Sequence, residues 1–201
     1  MDAAEHEVDG RALRHQRRRP ELLAGAVEYI LDNGVAELTL RPLAKALGVT
    51  HATLLRHFGT KEELVTDVIN AIRVDLLDKL GASVGDIVAA PPERSMRTVW
   101  RQLCEPTERR QFVLLFELVA LQAREPDRFG SLATMLIADF LQPIEASLRS
   151  SGIPRGEARD LATGFLAQLR GLQLDLVVSG DRRRVNAAMD RYIDLITRNH
   201  G

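Results

Sequence analysis

His51, Ala52, Thr53, Leu55, Arg56 and His57 stand close together in the stretch THATLLRHF. They offer cationic, hydroxyl, small and apolar groups. Such a mixture suits contact with base edges, thymine methyls and phosphates. Ala52 is small enough to let a helix approach the floor of a major groove. Thr50, before them, is of the type that caps a helix N-terminus, where backbone N–H groups attract a phosphate. Metal chemistry is not expected, because no Cys, Asp or Glu stands at ligand spacing beside the two histidines. No cofactor is expected either.

These side chains need a rigid support, and the flanking residues provide the signals for one. Thr39 is a candidate N-cap for a short helix carrying Leu43, Ala44 and Leu47, and Gly48 supplies a tight turn. Thr50 then opens a second short helix from His51 to about Phe58. With Leu43, Ala44, Leu47, Val49, Leu54 and Phe58 turned inward, the pair forms a compact helical hairpin with an informative outer face. A helix from about Pro20 to Asn33 precedes it, with Leu23, Val27 and Ile30 or Leu31 on one side. Thr60 and Glu63 form a capping box for a long helix from Lys61 to about Leu80.

Charge is distributed in the same sense. The whole chain has a formal net charge of −1, but Arg11 to Lys61 holds nine basic and four acidic residues, a net of +5. From Glu62 onward eighteen basic residues meet twenty acidic ones, a net of −2. A phosphate-binding module attached to a body of different purpose would have this polarity. The run RALRHQRRR supplies Arg11, Arg14, Arg17, Arg18 and Arg19. It reads as a disordered basic arm over 1–18, either solvated or reaching toward DNA.

The segment TLRPLAKALGVTHATLLRHFGTKEELVTDV resembles the DNA-binding part of the tetracycline-repressor (TetR) family of bacterial regulators, over about residues 20 to 80. The LA-x-x-LGV turn, the T-L-x-x-HF run and K-E-x-L stand at the family's spacing. The resemblance implies that Arg41 and His51 approach bases and that Ala52 and Leu55 lie against base or sugar edges. It further implies that Thr53, His57 and Lys61 hold phosphates. The family usually has Tyr where Leu55 stands, so a phenol contact is replaced by an apolar one suited to a thymine methyl.

The remainder also has helical periodicity, and no stretch alternates for long enough to form a sheet. The expected class is all-α: a three-helix helix-turn-helix DNA-binding domain over 19–62, joined to a larger helical effector-binding and dimerisation domain over 63–201. Residues 81 to 92, with two Gly and two Pro, read as a connection. Five helices follow, near 93–104, 107–124, 127–150, 155–179 and 182–198. One recognition helix reads few base pairs, so a homodimer on an inverted-repeat operator of double-stranded DNA is expected. The stripe Leu161, Phe165, Leu169, Leu172 and Leu176, with Met189, Tyr192 and Ile196, is the candidate interface. A second stripe of Leu166, Leu174, Val177 and Val178 leaves one to pack inside the chain.

The family places a ligand cavity in the body. Candidates to line it are Met96, Trp100, Leu103, Phe112, Phe116, Met135 and Phe140, with Glu117, Asp139, Gln168 and Arg170 to orient a small hydrophobic effector. Cys104, alone, reads as a buried small hydrophobe. No Gly-rich phosphate loop, H-E-x-x-H or G-x-S-x-G is present, so the chain does not read as an enzyme. The opening MDAAEHEVDG has no apolar run after it and no stretch is of membrane-spanning length, which points to the cytoplasm. The expected function is a transcription regulator, a repressor released from DNA by its ligand. The competing reading is a ligand-independent regulator or an architectural DNA-binding protein.

Overall fold

The computed structural model describes residues 3–89, 91–128 and 132–197. Nine helices and no strand are present among them: α1 (Ala3–Asn33), α2 (Leu40–Ala46), α3 (His51–Phe58), α4 (Lys61–Ala89), α5 (Pro92–Leu103), α6 (Pro106–Arg124), α7 (Leu132–Ser150), α8 (Arg155–Ser179) and α9 (Arg182–Thr197). The all-α class is as expected.

Three ends differ from expectation, for physical reasons. α1 begins at Ala3, so the backbone of the supposed disordered arm continues the helix and Pro20 lies in its interior. Residues 3–19 abound in Ala, Glu, Arg, Leu and Gln, which favour helix, and the missing N–H of Pro20 removes only one backbone bond. The side chains of 3–17 lie outside the described residues. α4 continues to Ala89, past the connection expected from residue 81, because glycine weakens a helix whereas the Pro91–Pro92 pair stops it. α7 starts at Leu132; residues 129–131, within its expected first turn, are outside the described set.

Two apolar cores organise the helices. The first gathers Leu22, Ala26 and Ile30 of α1, Leu43 and Ala44 of α2, Leu54 and Phe58 of α3 and Leu64, Val65 and Val68 of α4. It also takes Leu114 and Leu118 from α6, so a helix of the body completes the core of the N-terminal unit. The second joins Trp100 and Leu103 of α5, Leu148 of α7, Phe165, Leu169 and Leu176 of α8 and Val185, Met189 and Ile193 of α9. Cys104 is buried in it, as expected, and desolvation pushes its thiol pKa up to about 11. No helix among the described residues is long and apolar enough to cross a membrane.

Candidate nucleic-acid interface and ligand cavity

The hairpin of α2 and α3 is fixed by its own turn chemistry. Gly48 takes φ +64°, a left-handed conformation that side chains disfavour, and the Val49 N–H reaches the Ala44 carbonyl at 2.9 Å. Thr50 caps α3: its Oγ1 accepts from the Thr53 N–H at 3.1 Å and lies 2.9 Å from the Thr53 hydroxyl. Thr39 has the extended backbone of an N-cap, yet its side chain makes no capping bond. Thr60 and Glu63 close the capping box of α4, with the Thr60 N–H 2.7 Å from Glu63 Oε2 and the Glu63 N–H 3.2 Å from Thr60 Oγ1.

With Leu43, Ala44, Leu54 and Phe58 inside, α3 turns His51, Ala52, Leu55 and Arg56 to solvent, and Arg41 of α2 and Thr50 are exposed beside them. Thr53 and Lys61 are half-buried. His57 departs from the group: it is 8% exposed, its ring tilted against Phe58. Position 57 falls on the inward side of α3, next to Phe58, so the phosphate contact expected of it is corrected to a packing role. Arg19 also departs from expectation. Its guanidinium bonds Asp67 of α4 at 2.6 Å, donates to the His57 carbonyl at 3.2 Å and sits 5.2 Å from the Phe58 ring centroid. It locks α1 onto α3 and α4 and is not part of an arm.

Behind this unit a cavity opens between α4, α6 and α8. It is narrow, with a volume of about 60 Å³. Of the expected residues, Leu103, Phe112 and Arg170 line it, as does Phe140. Met96 and Trp100 do not: both are buried in the second core, and the Trp100 indole donates to Asn186 at 2.9 Å. α5 turns these toward α9, where their bulk fills a gap. Phe116 is 45% exposed, one turn from Phe112 on the outer side of α6, so it too is corrected. Asp139 is held in an ion pair by Arg73. The Met135 side chain lies outside the described residues. Sequence reasoning missed the α4 wall, Ile69, Ile72, Arg73 and Leu76, and the polar lining Glu108, Gln111 and Gln173. The spacing of 69, 72 and 76 is a helical stripe and was a usable signal.

Comparison with known proteins meets this geometry in the same segment. A profile of bacterial regulatory proteins of the tetR family matches residues 22–68, which span the α1 to α4 unit. Over these residues the chain is similar to the DNA-binding segment of that family. It is 27% identical over 127 residues to the HTH-type transcriptional regulator Rv1816 of Mycobacterium tuberculosis, covering 62% of this chain and 54% of that protein. It is 36% identical over 80 residues to the HTH-type transcriptional repressor KstR2 of the same organism, 38% of each chain. The chain thus spans about half or less of the length of these curated relatives. A transcriptional regulator from Rhodococcus sp. Rha1 shares the fold, with a TM-score of 0.73 at 23% identity over 90% of this chain and 96% of that one.

The stripe expected at the dimer interface faces inward. Phe165, Leu169, Leu172, Leu176 and Met189 are buried in the second core, with Leu161, Tyr192 and Ile196 packed at its edge. α8 needs that face for α5, α7 and α9. The apolar residues left outside are Leu174, Val178 at 80% exposure and Leu195 of α9 at 65%. Gly171 and Ala167, also exposed, continue the α8 side of that face.

Glu117 has a task unlike the ligand-orienting one expected. Both its carboxylate oxygens accept from the Val35 N–H at 3.0 Å, and Oε1 accepts from the Ala36 N–H at 2.6 Å. Gly34 makes room for it: φ is +76°, and a Cβ there would stand 2.8 Å from Glu117 Oε2. Arg110, two turns earlier on α6, bonds Asp32 at 2.6 Å. α6 is thereby clamped to the end of α1 and the entry to the helix-turn-helix.

Proposed function

We propose that this protein is a cytoplasmic, homodimeric transcription repressor that binds an inverted-repeat operator through α3 and leaves it when a small, largely apolar effector fills the cavity. The observation that carries the DNA-binding part is the outer face of the hairpin. His51, Ala52, Leu55, Arg56 and Arg41 stand exposed on a unit whose inner face is fully packed. Exposing Leu55 among cations serves the monomer poorly; against a thymine methyl it becomes complementary. Two such helices reach successive major grooves if copies pair through Leu174, Val178 and Leu195, with the small residues Ala167 and Gly171 allowing close approach.

Release follows from shared helices. Ile69 and Ile72 of α4 and Leu114 and Leu118 of α6 belong to the core of the N-terminal unit and also line the cavity, which Leu76 of α4 and Phe112 of α6 line beside them. An effector that seats better when these helices are displaced favours the spacing of the two heads that does not fit DNA. The narrowness of the cavity supports a second reading, regulation without a ligand; a screen in which no small molecule raises Tm would favour it.

The decisive experiment captures genomic DNA fragments with the purified protein and with a variant carrying Arg41→Ala and His51→Ala, then sequences what is retained. Enrichment of a short inverted repeat by the unmodified protein alone is the expected result. No enrichment, or equal enrichment by both, removes base reading by α2 and α3.

A further inference from the structure

The cavity wall carries a charge, Arg170, that no described residue balances. Arg73 is paired with Asp139, and Glu108, 4% exposed, is bonded by Gln102 at 3.1 Å and lies 3.6 Å from Lys79. Arg170, on the α8 wall, has no hydrogen bond or ion pair with any described residue, and it is only part-exposed. Its surroundings are apolar enough for desolvation to lower its pKa, the direction that marks a cation short of compensating groups. A second polar group is also unfilled. Gln111 of α6 lines the same cavity, is 8% exposed, and its buried Oε1 has no partner. Buried polar atoms are rarely left so, and the Gln111 oxygen beside an unpaired, part-exposed cation in one cavity points to groups supplied from outside the chain.

We propose that the cavity takes a small amphipathic monocarboxylate, its carboxylate paired with the Arg170 guanidinium and its apolar part lying along Ile69, Ile72, Phe112 and Leu166. This rests on the reading of the cavity as the effector site and gives that effector a full charge, where the sequence pointed only to a small hydrophobic one. A planar guanidinium fits a carboxylate through two parallel bonds. Gln111 accepts from a hydroxyl or amide donor on the ligand or, with its amide rotated, donates to an oxygen. The narrow space favours an unbranched chain or a single ring over a bulky body.

The test is calorimetric titration of the full-length protein with octanoate, decanoate and 4-phenylbutyrate, each beside the alcohol and the amine of matching skeleton, below their aggregation concentrations. For at least one skeleton the carboxylate should bind tenfold or more tightly than the alcohol, and the amine should bind weakest. In Arg170→Met that preference should vanish while alcohol affinity stays within about threefold. The variant's unliganded Tm should equal or exceed the original, because an uncompensated charge has gone. Equal binding of carboxylate and alcohol for every skeleton, or a preference that survives Arg170→Met, overturns the proposal. Should that variant not fold, the carboxylate-over-amine order in the unmodified protein decides alone. DNA retention measured in parallel separates the two ideas: a carboxylate preference without DNA release removes the effector role and leaves the ligand class standing. Release by alcohols without that preference does the reverse.

Discussion

Replacing Glu117 by Ala should separate the body of the protein from its DNA-binding head without dismantling either. Val35 is fully buried, so its N–H, now bonded to both carboxylate oxygens at 3.0 Å, would have no acceptor and no water. An unsatisfied buried donor costs about 1–3 kcal/mol. Ala36 is exposed, and water takes over its bond at little cost. A total near 2 kcal/mol is therefore expected, and at about 2–4 °C per kcal/mol for a chain of this size Tm should fall by roughly 4–8 °C. Glu117→Gln retains one acceptor oxygen and should lose about half as much. Scanning calorimetry of the three proteins checks the order. In parallel, DNA retention should persist, because Leu43, Leu54 and Phe58 are untouched, while effector-driven release weakens. A Tm within about 1 °C of the original, or release that is as complete as before, would refute the assignment of Glu117 as the clamp between α6 and the head.

Three other perturbations probe separate parts of the structure. Arg19→Met removes the bond to Asp67, the bond to the His57 carbonyl and the contact over Phe58; the Arg19 side chain is 43% exposed, so after screening the loss should be about 1 kcal/mol and should shrink in high salt. Val178→Asp places a charge on the proposed dimer face at a site 80% exposed in the single chain, so sedimentation should show folded monomers, and persistence of a dimer would remove that face from the interface. Cys104 should resist iodoacetamide at pH 8, since its thiol is pushed up to about 11. Its folded pKa lies above the unfolded value of about 8.5, so its contribution to stability is complete below that value and is lost as pH rises toward 11, which alkaline unfolding curves of the protein and of Cys104→Ala would compare.

The hairpin was the most legible part of the chain because its signals are local. Gly48, the Thr50 cap and the Thr60–Glu63 box each act within four residues, and each is found where the sequence places it. His57 was less legible. Its inward direction depends on the angle at which α3 meets Arg19 and Phe58, which no short window contains. The same holds in the body. Two apolar stripes on α8 are visible in the sequence, but which one faces α9 is decided by packing, and the chain buries the one centred on Phe165 and Leu169. Length misled where propensity is weak. The stretch from Gly81 looks like a linker by composition, yet α4 runs through it to the prolines. Glu117 interrupts an apolar run in α6 and was visible as an anomaly; that its partner is the backbone of Val35 and Ala36, some eighty residues away, was not.

Regulation through this architecture requires that the link between cavity and head be stiffer than the signal it transmits. A hundredfold loss of DNA affinity corresponds to about 2.7 kcal/mol of difference between two states. If the joint yielded for less, an effector would loosen it locally and leave the head on DNA. Burial of Leu114 and Leu118 beneath α1 and α4 contributes about 1.5–3 kcal/mol each, and the Glu117 clamp adds roughly 2. α6 is therefore held more firmly than the signal demands, and displacement of its cavity side is passed to the head as movement of a packed unit. α4 supplies a second route: Val65, Val68 and Ile72 share the first core, and Ile72 also lines the cavity. With two of the three helices around the cavity anchored in the first core, the proposed change in the distance between α4 and α6 would act on the packing beneath α3.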